Sequence, residues 1–150
     1  MKVVFSWLFP LKIYIYGTSL YHTKTDFANA KSVFIAGWEI NDPNSQRYFT
    51  LLKELAKITN SKVGATRKMV DMNIAPQYMQ IGQTGTSLNA DLCITFGVSG
   101  AMQHLMGIKN CKTIVAINID SEAEIFKYAD YKIVADAKEI IENLCKKLKQ

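Results

Sequence analysis

Residues 82–104 read Gly-Gln-Thr-Gly-Thr-Ser-Leu-Asn-Ala-Asp-Leu-Cys-Ile-Thr-Phe-Gly-Val-Ser-Gly-Ala-Met-Gln-His, and this stretch decides the fold. A polar loop with glycines, Gly82 to Gly85, leads into the apolar run Leu92 to Phe96. A second glycine turn follows, Gly97-Val98-Ser99-Gly100, and then a helix-forming segment carrying His104. Strand, glycine turn and helix together suit an anion: glycine lets backbone amides approach an oxyanion, and the helix N-terminus adds positive potential. Two such loops close in sequence can hold a phosphate and a group beyond it.

The pattern repeats outward from this stretch. Lys31 to Ala36 is a buried-strand run ended by Gly37. Asp42-Pro43 predicts a helix over about Asn44 to Thr59, with Asp42 as cap and Pro43 at the first helical position. Tyr48, Leu51, Leu52, Leu55 and Ile58 form its apolar stripe, and Asn60 closes it. Lys62 to Ala65 is a short strand, after which Thr66 caps a helix over Arg67 to Met72. Tyr78 to Ile81 is a weak strand. Gly100 to Met106 is a helix ended by Gly107. Lys112 to Asn118 is another apolar strand, Ser121 caps a helix over Glu122 to Tyr128, and Tyr131 to Val134 is a last strand. Asp136 precedes the terminal helix, about Ala137 to Lys149.

Continuously apolar strands are covered on both faces. Their alternation with helices predicts right-handed crossovers and a Rossmann-like, doubly wound α/β domain: a mainly parallel sheet with helices on both faces. Ligands of such sheets bind beyond the carboxyl ends of the strands. Thr66, Gln83, Thr84, Ser99, Asn118 and Asp136 all follow predicted strands, so they converge on one edge.

The totals agree with one domain. The chain has 150 residues, 49% of them apolar and 21% charged, enough for a sizeable core. The formal net charge is +5, compatible with an anionic ligand, but part of the excess sits in Lys138, Lys146, Lys147 and Lys149 near the C-terminus, where lysines suit a helix end. No basic stripe is interleaved with aromatics, which argues against nucleic acid. Cys93, Cys111 and Cys145 make no Cys-x-x-Cys pair and read as reduced, mostly buried thiols of a reducing compartment. With only His22 and His104, no metal site is expected. Met1 to Gly17 is apolar and aromatic, but Pro10 and Lys12 interrupt it and no small-residue cleavage site follows. It is read as neither a signal peptide nor a membrane span; a strand over Lys12 to Tyr16, or the remnant of an upstream region, is expected instead.

Each motif alone has two readings. The Gly97 to Gly100 turn is a ligand cradle or an ordinary strand-to-helix turn; it is neither Gly-x-Gly-x-x-Gly nor a lysine-bearing phosphate loop. His104 is a hydrogen-bonded structural histidine, or a cation or donor aimed at a ligand ring. Arg67 opposes the helix dipole in a first turn, and is either a surface residue or a partner for an anion. Asn118-Ile119-Asp120 and Ala135-Asp136 form turns and caps, or bind ribose and adenine. Ser99, His104 and Asp120 do not make a persuasive nucleophile, base and acid set.

Taken together the motifs resemble a family. Gly64-Ala65-Thr66-Arg67, Ile81-Gly82-Gln83-Thr84-Gly85, Gly97-Val98-Ser99-Gly100-Ala101-Met102-Gln103-His104, Thr113-Ile114-Val115-Ala116-Ile117-Asn118 and Ile125-Phe126-Lys127-Tyr128-Ala129-Asp130-Tyr131 stand in one order. This order resembles the C-terminal, FAD-binding domain of the electron transfer flavoprotein alpha subunit, over about residues 23–148. The resemblance implies an FAD-binding electron carrier rather than an enzyme. It would be the alpha part of a heterodimer with a beta-type subunit, cytoplasmic, or in the mitochondrial matrix if eukaryotic. Its electrons would come from dehydrogenases such as the acyl-CoA dehydrogenases of fatty acid beta-oxidation, and pass to a quinone reductase or another acceptor.

By the same resemblance, Arg67 lies over the isoalloxazine ring and His104 near its C2 carbonyl, both favouring an anionic reduced flavin. Thr84 hydrogen-bonds the N5 region with Gln83 alongside, in the loop that begins at Ile81 and Gly82. Ser99, Gly100, Ala101, Met102 and Gln103 bind the cofactor through the turn and helix start. Asn118 and Asp136 hold the ribose and adenine end, and Ala137 is a further cofactor-binding position. Thr66 stands where the family usually has serine and keeps a hydroxyl.

Two departures qualify the resemblance. The family's Gly-Gly-Arg-Gly turn is here Ala36-Gly37-Trp38-Glu39. The loss of that arginine predicts weaker FAD binding unless another residue replaces it. The family's N-terminal domain has no counterpart, so the chain reads as a split or truncated alpha subunit, with residues 1–22 unassigned and 23–150 the FAD-binding domain. Two other functions are kept: a nucleotide-binding or assembly module without redox activity, and an enzyme using a nicotinamide nucleotide.

Overall fold

Five parallel strands carry the molecule, and their order places the site. The computed structural model describes residues 2–4, 14–16, 19–21 and 27–150. Strands β1 (Lys2–Val4), β2 (Tyr14–Tyr16) and β3 (Ser19–Tyr21) pair antiparallel in the order β1-β2-β3. The strand expected over Lys12 to Tyr16 is therefore found from Tyr14; Lys12, Ile13 and most of segment 1–22 lie outside the described residues, as do the first residues of the 23–150 unit.

The second sheet contains β4 (Ser32–Ala36), β5 (Lys62–Ala65), β6 (Leu92–Phe96), β7 (Thr113–Asn118) and β8 (Tyr131–Val134). Its order is β5-β4-β6-β7-β8, every pair parallel. The chain moves from β4 outward to β5, then returns to the other side of β4 as β6. The order thus reverses between β4 and β6, and in a doubly wound sheet the ligand crevice opens at that point.

Alternate residues of β4 face two cores. Phe34 and Ala36 join Phe49, Leu52, Leu55, Phe96, Ile141 and Cys145 on the face covered by α1 (Arg47–Ile58) and α4 (Ala137–Leu148). Val33 and Ile35 join Cys93, Val98, Leu105, Ile108, Ile114 and Ile125 on the face covered by α3 (Met102–Ile108) and the 3-10 turn Glu124–Lys127. Phe34 and Phe96 meet edge-to-face, centroids 5.6 Å apart. This is the doubly wound α/β sheet that the strand and helix alternation predicts. All three cysteines are free and buried.

Local chemistry moved several element ends. Helix α1 starts at Arg47, not Asn44, because the Asp42 carboxylate is spent on its own turn, accepting from Asn44 N and Ser45 Oγ, each at 3.0 Å. Its buried face is Phe49, Leu52, Leu55 and Ala56, while Ile58 of the expected stripe is exposed. Asn60 does close the helix, at φ 53°: Ser61 N donates to Ala56 O and Asn60 N to Lys57 O, a Schellman ending. Tyr78 to Ile81 is not a strand but the 3-10 turn Gln77–Met79, followed by isolated bridges at Gln80 and Ile81. Glu122 to Tyr128 is reduced to the 3-10 turn Glu124–Lys127; Ser121 does not cap it, and Asp120 Oδ1 accepts from Glu122 N instead. The last strand is found where it is expected, as β8 at one edge of the sheet, with all four residues exposed. Among the described residues no helix is long and apolar enough to cross a membrane.

Candidate functional site

The turns that follow β4 and β6 are sewn together. Gly37 N donates to Phe96 O and Glu39 N to Gly97 O. A Cβ on Gly37 would lie 2.1 Å from Gly97 O, and Gly97 itself holds φ 69°; glycine is required at both. Beyond them a cavity of about 880 Å³ opens across the carboxyl edge of the sheet. Its size falls at the upper end of ligand pockets, about 300–1,000 Å³.

Eleven of the fifteen sequence-predicted site residues line this cavity: Thr66, Arg67, Ile81, Gly82, Gln83, Thr84, Ser99, Ala101, Gln103, His104 and Asn118. Gly100, Met102, Asp136 and Ala137 do not. Gly100 packs, at φ 95°, against Ile125, where a Cβ would lie 2.3 Å from its N. Met102 is exposed. Asp136 is the N-cap of α4, accepting from Lys138 N at 2.8 Å. Ala137 is fully buried and its N–H donates to Glu39 Oε1 at 3.2 Å.

Three buried side-chain polar atoms lack a hydrogen-bond partner among the described residues: Thr66 Oγ1, Thr95 Oγ1 and His104 Nε2. Two of the three belong to residues that line the cavity, whereas Thr95 lies inside β6. An orphaned buried polar atom costs about 1–3 kcal/mol, so a ligand able to pair with Thr66 and His104 is favoured there. The predicted capping role of the Thr66 hydroxyl is overturned: Thr66 holds the N-cap position of α2 (Arg67–Asp71), but its side chain makes no cap bond.

His104 is anchored from the other side of its ring, where Nδ1 donates to Ile81 O at 3.0 Å. Burial holds its pKa below the ordinary imidazole value, with the Ile81 hydrogen bond opposing more weakly. The ring is thus neutral near pH 7, and with Nδ1 protonated its Nε2 is an acceptor rather than the cation or donor expected from the sequence. Thr84 Oγ1 accepts from Gln80 Nε2 at 2.7 Å, leaving the Thr84 proton to donate. Asn118 spends its amide locally: Nδ2 donates to Val98 O and Oδ1 accepts from Asp120 N.

Charge divides along the cavity. Arg67 and Lys68 stand beyond β5, Arg67 paired with Asp71 at 3.3 Å and exposed. Glu39, Asp120, Glu122 and Glu124 line the side toward β7. Sequence reasoning missed Lys68 and Gln80. Lys68 Nζ lies 4.2 Å from the centroid of the Trp38 ring, a cation–π contact. A cation therefore stands beside the turn where the arginine is missing, and the Trp38 and Lys68 pair could not be read from spacing. Among the described residues no group of three or more His, Cys, Asp or Glu could hold a metal ion.

Sequence likeness agrees with this geometry. Residues 26–109 match the family described as the electron transfer flavoprotein FAD-binding domain. Over 125 residues, 83% of the chain, it is 45% identical to the mitochondrial electron transfer flavoprotein subunit alpha of Oryza sativa subsp. indica, of which it covers 34%. It is 44% identical over the same share to the electron transfer flavoprotein subunit alpha of Bacillus subtilis, covering 38% of that protein. To the subunit alpha of Paracoccus denitrificans it is 45% identical over 69% of the chain, again covering 34%. The chain spans roughly a third of the length of these relatives.

Proposed function

The chain belongs to the electron transfer flavoprotein FAD-binding domain family, and from that premise we propose that it binds FAD in the cavity at the β4–β6 switch point and serves as an electron carrier, not an enzyme. The observation that carries this reading is the pair of orphaned buried atoms, Thr66 Oγ1 and His104 Nε2, on residues that line one cavity. The donors there suit a flavin: a free Thr84 proton, fixed cations at Arg67 and Lys68, and a second glycine turn leading into α3. FAD, when bound, supplies the redox chemistry.

The protein's part is electrostatic. Arg67 and Lys68 place positive charge at the cavity. His104 adds a variable charge. Neutral in the free protein, it takes a proton at Nε2 when negative charge gathers beside it, and then donates from that atom. A proton held at Nε2 would stabilise negative charge on a group bound beside it.

On this reading residues 23–150 form the FAD-binding domain. The chain works with a beta-type subunit, takes electrons from dehydrogenases such as acyl-CoA dehydrogenases and passes them to a quinone reductase or similar acceptor. Its compartment is the cytoplasm or, in a eukaryote, the mitochondrial matrix. The alternative, a nucleotide-binding or assembly module without redox activity, is favoured by one observation: the amide of Ala137, a residue expected to bind the cofactor, is held by Glu39 of the Trp38 turn.

The test is a visible spectrum. The chain is incubated with FAD, alone and with a beta-type subunit, and unbound flavin is removed. Retained flavin absorption that bleaches on adding a donor dehydrogenase and its substrate is expected. A colourless protein under both conditions would overturn the proposal, and flavin retained but never reduced would favour the module reading.

A further inference from the structure

Glu39 does something at the switch point that a ligand's own groups would otherwise do. Its Oε1 accepts from Ala137 N at 3.2 Å and its Oε2 from Ile119 N at 3.3 Å. Ile119 follows the end of β7, and Ala137 is the first residue of the twelve-residue helix α4. One carboxylate thus joins the turn after β4, the end of β7 and the start of α4. The fit is tight: a Cβ on Gly97 would lie 2.4 Å from Glu39 Cβ. Asp136 takes the next amide of α4, Lys138 N. The helix N-terminus, where an anion is most favoured, is filled by two of the protein's own carboxylates.

The rest of the cavity repeats this polarity. Arg67 and Lys68 follow β5, where Asp71 pairs with Arg67, and Asp120, Glu122 and Glu124 follow β7 with no cation among the lining residues there. With β4 and β6 between them, these strands are three spacings apart, about 14 Å. His104 and Thr66, with their unpaired atoms, belong to the part of the cavity that takes the ring. The β7 side offers acceptors for hydroxyl and amino groups but repels phosphate.

Resting on the flavin reading above, we infer that Glu39 is an internal anion that closes the adenylate end of the cavity and sets how strongly the protein prefers a flavin carrying adenylate over one without it. To reach Ala137 N, the adenylate half must displace the Glu39 carboxylate that bridges this amide and Ile119 N. Part of the binding energy of that half is consumed in the exchange, while the ring half is untouched. The native chain therefore discriminates weakly between FMN and FAD, which share the ring, the ribityl chain and the inner phosphate.

The experiment compares the native full chain with Glu39→Gly and Glu39→Gln, titrating each with FAD and with FMN by flavin fluorescence and following folding by circular dichroism. Glu39→Gly frees both amides. Glu39→Gln removes the charge but still offers one acceptor, so it decides the matter alone if the glycine variant does not fold. Glu39→Gly is expected to tighten FAD about tenfold, with Glu39→Gln between, while FMN stays within about twofold of native. FAD affinity unchanged or weakened in a folded variant would overturn the inference, and so would equal tightening of FMN and FAD. Binding of neither flavin to any variant would overturn the flavin reading itself, and this inference with it.

Discussion

His104 illustrates how far a residue can be read before its neighbours are known. Its place one turn into a helix after a glycine turn was visible in the sequence, and so was the pair of readings, structural histidine or ligand partner. The structure joins the two: Nδ1 is structural, donating to Ile81 O, while Nε2 is buried and unpaired. Its charge was not legible, because burial depends on packing contributed by distant residues. The same burial gives a pH dependence. The folded protein holds His104 below the ordinary value of 6.5, so in that window the unfolded chain binds a proton that the folded chain refuses. The free protein must then lose stability as pH falls from above 6.5 toward the lower folded value. His104→Asn keeps a donor for Ile81 O and removes the titration. Thermal melts from about pH 7.5 to about 5.5 should show a smaller loss in His104→Asn than in the native chain, since only the native ring titrates across that range. Equal losses would mean that the ring is not buried as described. Thr66 was legible as a hydroxyl at a strand end. That it caps nothing was not, since a cap and an unpaired hydroxyl look alike in sequence.

At the scale of elements, what the sequence reveals depends on how one-sided the burial is. β6, at the centre of the sheet, is continuous apolar sequence and begins and ends where periodicity puts it. β8 was placed correctly, but that all four of its residues are exposed was not legible. Edge position is a property of strand order and leaves no local mark. Helix starts slipped where a polar side chain had two uses, as with Asp42. The end of α3 slipped for a packing reason. Gly107 reads as a helix stop, yet α3 continues through it to Ile108. Its glycine is there because a Cβ would lie 2.5 Å from Gly82 N, in the loop that lines the cavity. Replacing an interior helix glycine with alanine ordinarily stabilises by up to about 1 kcal/mol. Gly107→Ala should do the reverse and destabilise by about 1–3 kcal/mol, because rigid backbone stands in the way. Urea unfolding measures the sign directly, and a stabilised Gly107→Ala would show that α3 and the Gly82 loop are not in close contact.

For the whole molecule, the alternation of strands and helices was enough to predict a doubly wound sheet and a ligand edge. It did not order the strands. The order β5-β4-β6-β7-β8 makes Thr66, Gln83, Thr84, Ser99 and Asn118 neighbours around one cavity. Asp136, which follows β8, is turned to its own helix. The departure at Ala36-Gly37-Trp38-Glu39 was visible as a lost arginine. What replaced it was visible only in three dimensions: Lys68 over Trp38, and Glu39 across β7 and α4.

The central claim is that FAD binds with its ring beside His104. The chain has only two histidines, His22 and His104, so imidazole resonances can be assigned by one substitution and followed by NMR as FAD is added across a pH series. Saturable shifts of the His104 ring, larger at Nε2 than at Nδ1, with its pKa raised on reduction of the flavin, are the predicted result. FAD that binds while the His104 ring is unmoved, or that does not bind at all, would contradict it.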